Sequence, residues 1–274
     1  MRMSAQPGSN VEVVSPMPCL LGEGCALSPC QRFGAWVDIL SGQIFLHDFS
    51  QGATRAFSVP GFPSAIFQVG EASIEFLSRE GVSSLSCESG VITMLWRWPE
   101  AQLSPAHRGN DGARIGARYV FGSMKFEPTA GSGRLYSLIG NELSIHGPVG
   151  IPNSFLSHPE GVLISDSFEN RTYLYSSTLD ERELWADFGG SLGTPDGGCV
   201  GTKGTIFLCL WGVGLIAELD LGGRLLRTLP VPAKNPTKCA LLGDALLVTS
   251  ALEETSEEER ETFPLSGQTF LVKL

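Results

Sequence analysis

Short runs rich in aromatic and β-branched residues alternate with turn residues along most of the chain, a pattern that predicts strands. Residues 33–39 and 43–48 flank a turn at Ser41-Gly42, and residues 53–59 follow a turn at Ser50-Gln51-Gly52. Two such runs around a short glycine turn predict a β-hairpin. The phrase returns over 119–124, 134–139 and 142–146, then over 161–165, 171–176 and 183–188. A further copy covers 205–210, 214–220 and 225–230, with turns at Gly212 and Gly222-Gly223. Apolar spacing of the helical kind is nowhere sustained over 11 residues, so long helices are not expected.

The self-similarity has a period. The strand pieces WVDI, EFLS, VFGS, LISD, FLCL and LVTS place their fourth residues at Ile39, Ser78, Ser123, Asp166, Leu210 and Ser250, at intervals of 39, 45, 43, 44 and 40. A repeat of about 40–45 residues with up to four short strands is the unit of a β-propeller blade. Six marks predict one all-β domain, a six-bladed β-propeller of four-stranded blades over residues 11–274, after a flexible segment, 1–10. The closing run, 269–274, supplies only a third strand to the last blade. The N-terminal strand Val11–Ser15 is free to supply the fourth and close the ring, which pairs strand edges otherwise left open.

Composition narrows the picture. The 33 Gly and 17 Pro among 274 residues argue against helical bundles, because these are the two poorest helix formers. With 42% hydrophobic and 18% charged residues, the chain has the apolar content that disordered chains lack. A formal net charge of −10 makes nucleic acid and anionic membrane poor partners, since both repel an acidic surface. The longest apolar run, residues 206–217, is broken by two glycines and falls short of the ~20 residues of a membrane span. The N-terminus MRMSAQPGSN has no apolar run of the secretory kind. Seven cysteines with no CxxC pair read as small buried hydrophobes, not as a disulfide or zinc framework. These features set the expectation of a cytoplasmic protein with no obligate protein partner.

Among the common catalytic signatures, HExxH, GxxxxGK[ST] and a helix-opening GxGxxG are absent. The four histidines share no ligand spacing, and His47 and His146 fall in predicted strands. Polar residues do recur at one phase of the repeat: Glu23 in LGEG, Asn110 in RGND, Asn153 in IPNS and Asp196 in TPDG, at intervals of 87, 43 and 43. Each is expected just ahead of the innermost strand of its blade, where the blades converge on a central channel. Asn, Asp and Gly are ordinary turn residues that a repeat places in phase by itself. Four in phase, two of them carboxylates, favour a site. Such a set of oxygens suits Ca²⁺, Mg²⁺ or Mn²⁺ and tolerates Zn²⁺.

At these residues the chain resembles the regucalcin (senescence marker protein)/gluconolactonase family. The resemblance is carried by LGEGCALSPCQRFGAWVDILSGQIFLHD, HRGNDGARIGARYVFGSM, TPDGGCVGTKGTIFLCLWGVGLIAELD and NPTKCALLGDALLVTSA, and by the closing PLSGQTFLVKL. It runs from about residue 12 to 274. It implies a six-bladed propeller with one divalent cation, Ca²⁺ foremost, that hydrolyses a small-molecule sugar lactone. It makes Glu23, Asn153 and Asp196 the metal ligands, with Asp196 also the general base. It makes Arg108, Asn110 and Glu127 substrate contacts. Two alternatives share the architecture: a non-catalytic calcium- or sugar-binding propeller, and a hydrolase of the phosphotriesterase kind.

The chain departs from the family pattern in three places. Cys25-Ala26-Leu27 stands where Pro-Val-Trp is usual, Ser154 where a glycine follows the asparagine, and Leu252 where an arginine is common. The lost Trp and the added Ser are expected to alter the pocket wall. The acidic run 253–261, EETSEEERE, is either a solvated loop or a lid at the channel mouth that disfavours anionic substrates. Most of the five tryptophans are expected to fill the spaces between blades, and Trp211 to border the pocket as well.

Overall fold

A computed structural model describes residues 10–99, 104–189 and 192–274. Residues 1–9, nearly all of the segment expected to be flexible, lie outside the described residues. The hairpins join into six four-stranded antiparallel sheets. The first blade holds β2 (Gly22–Leu27), β3 (Phe33–Asp38), β4 (Gln43–Asp48) and β5 (Ala53–Ser58). The second holds β6 (Ala65–Val69), β7 (Ser73–Ser78), β8 (Gly81–Ser86) and β9 (Ile92–Arg97). The third holds β10 (His107–Ile115), β11 (Arg118–Lys125), β12 (Gly133–Ile139) and β13 (Glu142–Val149). The fourth holds β14 (Pro152–His158), β15 (Gly161–Asp166), β16 (Arg171–Tyr175) and β17 (Arg182–Asp187). The fifth holds β18 (Thr194–Val200), β19 (Ile206–Trp211), β20 (Leu215–Leu219) and β21 (Leu225–Pro230).

The sixth blade joins both ends of the chain. Its order is β22 (Asn235–Leu242), β23 (Ala245–Ala251), β24 (Thr269–Lys273) and β1 (Val11–Ser15). Val11 faces Val272, Glu12 faces Leu271 and Val13 faces Phe270, so the N-terminal strand fills the expected place. The first strand of each blade contacts that of the next, and β22 contacts β2, which closes a six-bladed β-propeller. The periodic marks fall on or beside the second strand of every blade. Aspartates beside the first mark and at the fourth show what this position does. Asp38 accepts the backbone N–H groups of Leu20 and Leu21 (2.9 and 3.1 Å), and Asp166 accepts those of Gly150 and Ile151 (2.7 and 3.1 Å). Each thereby ties the chain entering its blade to the second strand.

The core lies between the blades. One apolar cluster joins Ile44 and Val37 of the first blade to Ile66 and Ile74 of the second. Between the second and third, Trp98 meets Phe121 and Tyr136 edge-on at 5.4 and 4.9 Å, the arrangement that aromatic quadrupoles favour. Its indole N–H donates to the Ser78 carbonyl. Trp36 packs on Phe45 and Leu247 between the first and sixth blades. Five of the seven cysteines are buried and all are free thiols. The acidic run is partly helical: α1 (Glu257–Thr262) opens on Ser256, whose side chain and that of Glu259 form a reciprocal capping box. No helix among the described residues is long and apolar enough to cross a membrane.

Candidate functional site in the central channel

Each innermost strand carries a β-bulge against its neighbour, at Glu23/Ala26, Ile66/Gln68, Gly109/Gly112, Asn153/Leu156, Pro195/Gly198 and Pro236/Lys238. A bulge bends its strand and re-aims the side chain beside it. Glu23, Asn110, Asn153 and Asp196 sit within these strands, at or beside the bulges, and not ahead of the strands as expected. Gly24 (φ 63°) and Ser154 (φ 56°) take the left-handed conformation just after Glu23 and Asn153. A glycine enters that region freely, whereas a serine needs help from its surroundings. Ser154 has that help: its N–H donates to Asp111 Oδ2 at 3.0 Å and its hydroxyl donates to the Asp196 carbonyl.

The bulges bring Glu23, Arg108, Asn110, Asn153 and Asp196 to the wall of one cavity of about 480 Å³. Leu40, Met124, Phe126, Ile151, Phe168 and Trp211 supply its apolar wall. A hydrogen-bonded chain orients the polar side. Arg108 Nη1 donates to Asn110 Oδ1 (2.7 Å), and Asn110 Nδ2 donates to Asn153 Oδ1 (3.0 Å). Asn153 Nδ2 donates to Ser167 Oγ (2.9 Å), which donates to the Pro195 carbonyl (2.6 Å). Asn153 is thus held with its amide oxygen toward Asn110, and that oxygen keeps a second lone pair. Glu127 is exposed and outside this wall, although its neighbours Phe126 and Pro128 line it. No histidine lines the cavity.

The electrostatics are those of a site short of positive charge. Burial, then the charge of Asp111, pushes the Glu23 carboxyl up from its usual 4.5 to about 7, against the pull of Lys238. Burial and the charges of Glu23 and Asp111 push Asp196 well above the usual range. Burial lowers Arg108 to about 10, with Glu253, Glu23 and Asp196 opposing. No cluster of three His, Cys, Asp or Glu side chains with metal-ligand geometry occurs among the described residues. The candidate donor set is instead two carboxylates and an amide, all oxygen, as hard divalent cations prefer. Two buried carboxylates that repel one another fit such a cation, because its charge offsets what burial and repulsion cost them.

The raised Glu23 pKa has a testable sign. Between pH 4.5 and about 7 the folded protein holds a proton that the unfolded chain has released. The stability this contributes is present at low pH and is lost as pH rises through 7. In the presence of a chelator, the thermal stability of wild type relative to Glu23→Gln should therefore fall between pH 5 and pH 7.5. A constant difference would show that Glu23 titrates normally.

Two charged residues of the channel carry no clear mark in the sequence. Asp111 is fully buried, and Lys238 Nζ donates to its Oδ1 at 2.5 Å. Asp111 also accepts the N–H groups of Gly112 and Ser154. Burial alone would depress the Lys238 pKa, but the carboxylates of Asp111 and Glu23 outweigh it and hold the ammonium above its usual range. Lys238 stands 42 residues after Asp196, so the spacing of the phased set points to it. Its residue type hides it, because an ammonium has no place in a pattern of oxygen donors.

Comparison with known proteins decides the family. The model of the SMP-30/gluconolactonase/LRE-like region matches residues 21–252. The chain belongs to that family. Among curated relatives it is similar to the 6-deoxy-6-sulfogluconolactonase of Pseudomonas putida, 25% identical over 96% of this chain and 94% of that one. It is also similar to the pentonolactonase XacC of Haloferax volcanii, 30% identical over 85% of this chain and 82% of that one. Among solved structures it resembles a calcium-binding regucalcin from Agrobacterium tumefaciens, with a TM-score of 0.88, 26% identity, and coverage of 96% and 93%.

None of this member's three departures from the family pattern falls on the pocket wall. Leu27, which stands in place of the Trp, packs partly buried against the cluster of Cys25, Trp36 and Leu247. Ser154 is fully buried, with its hydroxyl on the Asp196 carbonyl. Neither lines the cavity, so the expected change of wall does not arise from them. For Ser154 the reason is the bulge, which turns the residue after Asn153 back into the protein. The acidic run does reach the cavity, through Glu253 and Glu254, and so does Trp211.

Proposed function

We propose that this propeller is a divalent-cation-dependent hydrolase of a sugar lactone, with Asp196 as general base. The observation that carries the reading is the convergence of Glu23, Asn153, Asp196, Arg108 and Asn110 on one cavity in a member of a lactonase family. Glu23, Asn153 and Asp196 would hold the cation, whose chemistry when bound is Lewis-acid polarisation of a carbonyl. Asp196 takes a proton from the water that attacks the lactone carbonyl carbon. It returns that proton to the ring oxygen as the carbon–oxygen bond breaks, which releases the hydroxy acid. Arg108 and Asn110, already linked at 2.7 Å, orient the substrate hydroxyls. Glu127, at the rim beside Phe126, would meet hydroxyls that rise out of the cavity.

The test is a panel of aldonolactones assayed on protein stripped with EDTA and then reloaded with Ca²⁺, Zn²⁺, Mg²⁺ or Mn²⁺. Reloaded protein should hydrolyse at least one lactone, and stripping should lower the rate at least ~100-fold, the scale of several kcal/mol of lost charge stabilisation. Tight cation binding with no lactone hydrolysed would favour the non-catalytic binding propeller. Preferential hydrolysis of phosphotriesters would favour a phosphotriesterase.

A further inference from the structure

The cavity wall carries four carboxylates, Glu23, Asp196, Glu253 and Glu254, against one cationic side chain, Arg108. A divalent cation would neutralise Glu23 and Asp196 and leave Glu253 and Glu254 with only Arg108 to offset them. Arg108 is already partly engaged by its own neighbours. Its Nη1 is bonded to Asn110 Oδ1 and to the Gly109 carbonyl (2.9 Å), and its guanidinium lies in the field of Glu253. Lys234 is outside the wall, engaged by the Glu254 carbonyl (2.7 Å) and the Glu259 carboxylate (2.9 Å).

The acidic pair is held in place. The Glu253 N–H donates to the Leu20 carbonyl (3.0 Å), and its carbonyl accepts Asn235 Nδ2 (2.6 Å). Glu254 sits in the left-handed conformation (φ 55°), with its Oε2 accepting Trp211 Nε1 at 3.1 Å. Behind them α1 adds Glu257, Glu258, Glu259 and Glu261, with Arg260 as its one base.

We infer that Glu253 and Glu254 make the cavity selective for uncharged aldonolactones and reject those bearing an anionic substituent such as phosphate, sulfonate or carboxylate. This rests on the lactonase reading above. It extends that reading from a reaction to a substrate class and turns the acidic run into a specificity device.

The experiment compares kcat/KM for glucono-δ-lactone and for its phosphate monoester on the exocyclic hydroxyl, in cation-loaded wild type and Glu253→Gln/Glu254→Gln. Wild type should prefer the neutral lactone, and the double variant should shrink that preference about tenfold, as expected for two charges within a few ångströms of the substituent. Raising the salt concentration should shrink the wild-type preference and leave the variant's nearly constant, because screening acts only where the charges remain. A change of shape alone would not reproduce that salt dependence. Glutamine keeps an acceptor for Trp211 Nε1, and Glu253→Gln alone, which leaves that contact untouched, should give part of the same shift. No preference in wild type, or a ratio that moves less than about twofold in the double variant, overturns the inference and leaves the lactonase reading standing. Wild type inert toward every lactone overturns both.

Discussion

Asp196→Asn should lower kcat/KM for lactone hydrolysis at least ~10³-fold, within the range for a lost general base, and leave the cation-free protein no less stable than wild type. The two halves of this result have one cause. Asp196 is 7% exposed, and burial and the charges of Glu23 and Asp111 disfavour its ionised form. An amide of the same shape removes that repulsion and keeps the packing. On the proposed mechanism the reaction needs this carboxylate, as proton acceptor and as cation ligand, whereas the fold does not. Removal of a strained functional charge commonly raises stability while it destroys activity. Thermal unfolding with chelator and steady-state kinetics with cation would read the two halves separately. Activity within about tenfold of wild type would remove Asp196 from the reaction, and a clear loss of cation-free stability would show that its charge is not repelled in the folded protein.

Lys238→Met should act in the opposite sense, as a large loss of stability. The Lys238 side chain is 12% exposed and its Asp111 partner is fully buried. Three carboxylates, Glu23, Asp111 and Asp196, share its field. Breaking one side of a buried ion pair costs about 3–5 kcal/mol, because the remaining charge stays buried without a partner. In a domain of this size that lowers the thermal midpoint by about 10 °C. Lys238→Met/Asp111→Asn should recover most of the loss, since removing both charges also removes the desolvation cost. The amide oxygen introduced by Asp111→Asn would still accept the Ser154 N–H. Divalent cation should stabilise the single variant more than wild type, having one more uncompensated carboxylate to meet. A loss under about 1 kcal/mol in the single variant would mean that the pair is solvated and that Lys238 is not the resident cation of the channel.

The outer strands were legible along the chain and the innermost ones were not. Runs such as IFLCLW and QIFLHD are apolar, β-branched or aromatic, and bounded by turns, so local pattern suffices to find them. The innermost strands read GEGCAL, HRGNDGARI, TPDGGCV and NPTKCALL. Gly, Pro, Asn and Asp are depleted in strands generally, and these segments pass for turns. They are strands because their neighbours in the blade pair with them and because the bulges accommodate their polar and glycine residues. The candidate site is therefore concentrated where local propensity is least informative, since what disqualifies a residue from an ordinary strand suits it to a polar channel.

The six-fold period, the use of the N-terminal strand to complete the last blade and the phase of Glu23, Asn110, Asn153 and Asp196 follow from the chain alone. A repeat that cannot bury its own faces must stack, and stacking six copies with both ends in one sheet leaves few alternatives. Three things required the tertiary structure. The burial of Ser154 away from the cavity depends on a backbone bulge that no propensity announces. The Lys238–Asp111 pair joins residues 127 positions apart, and the seating of Glu253 and Glu254 on the cavity wall depends on Leu20, Trp211 and Asn235. Period is a local property repeated, so it survives in the sequence. Charge compensation in the channel is a sum over strands of different blades, and only the closed ring decides which charges meet.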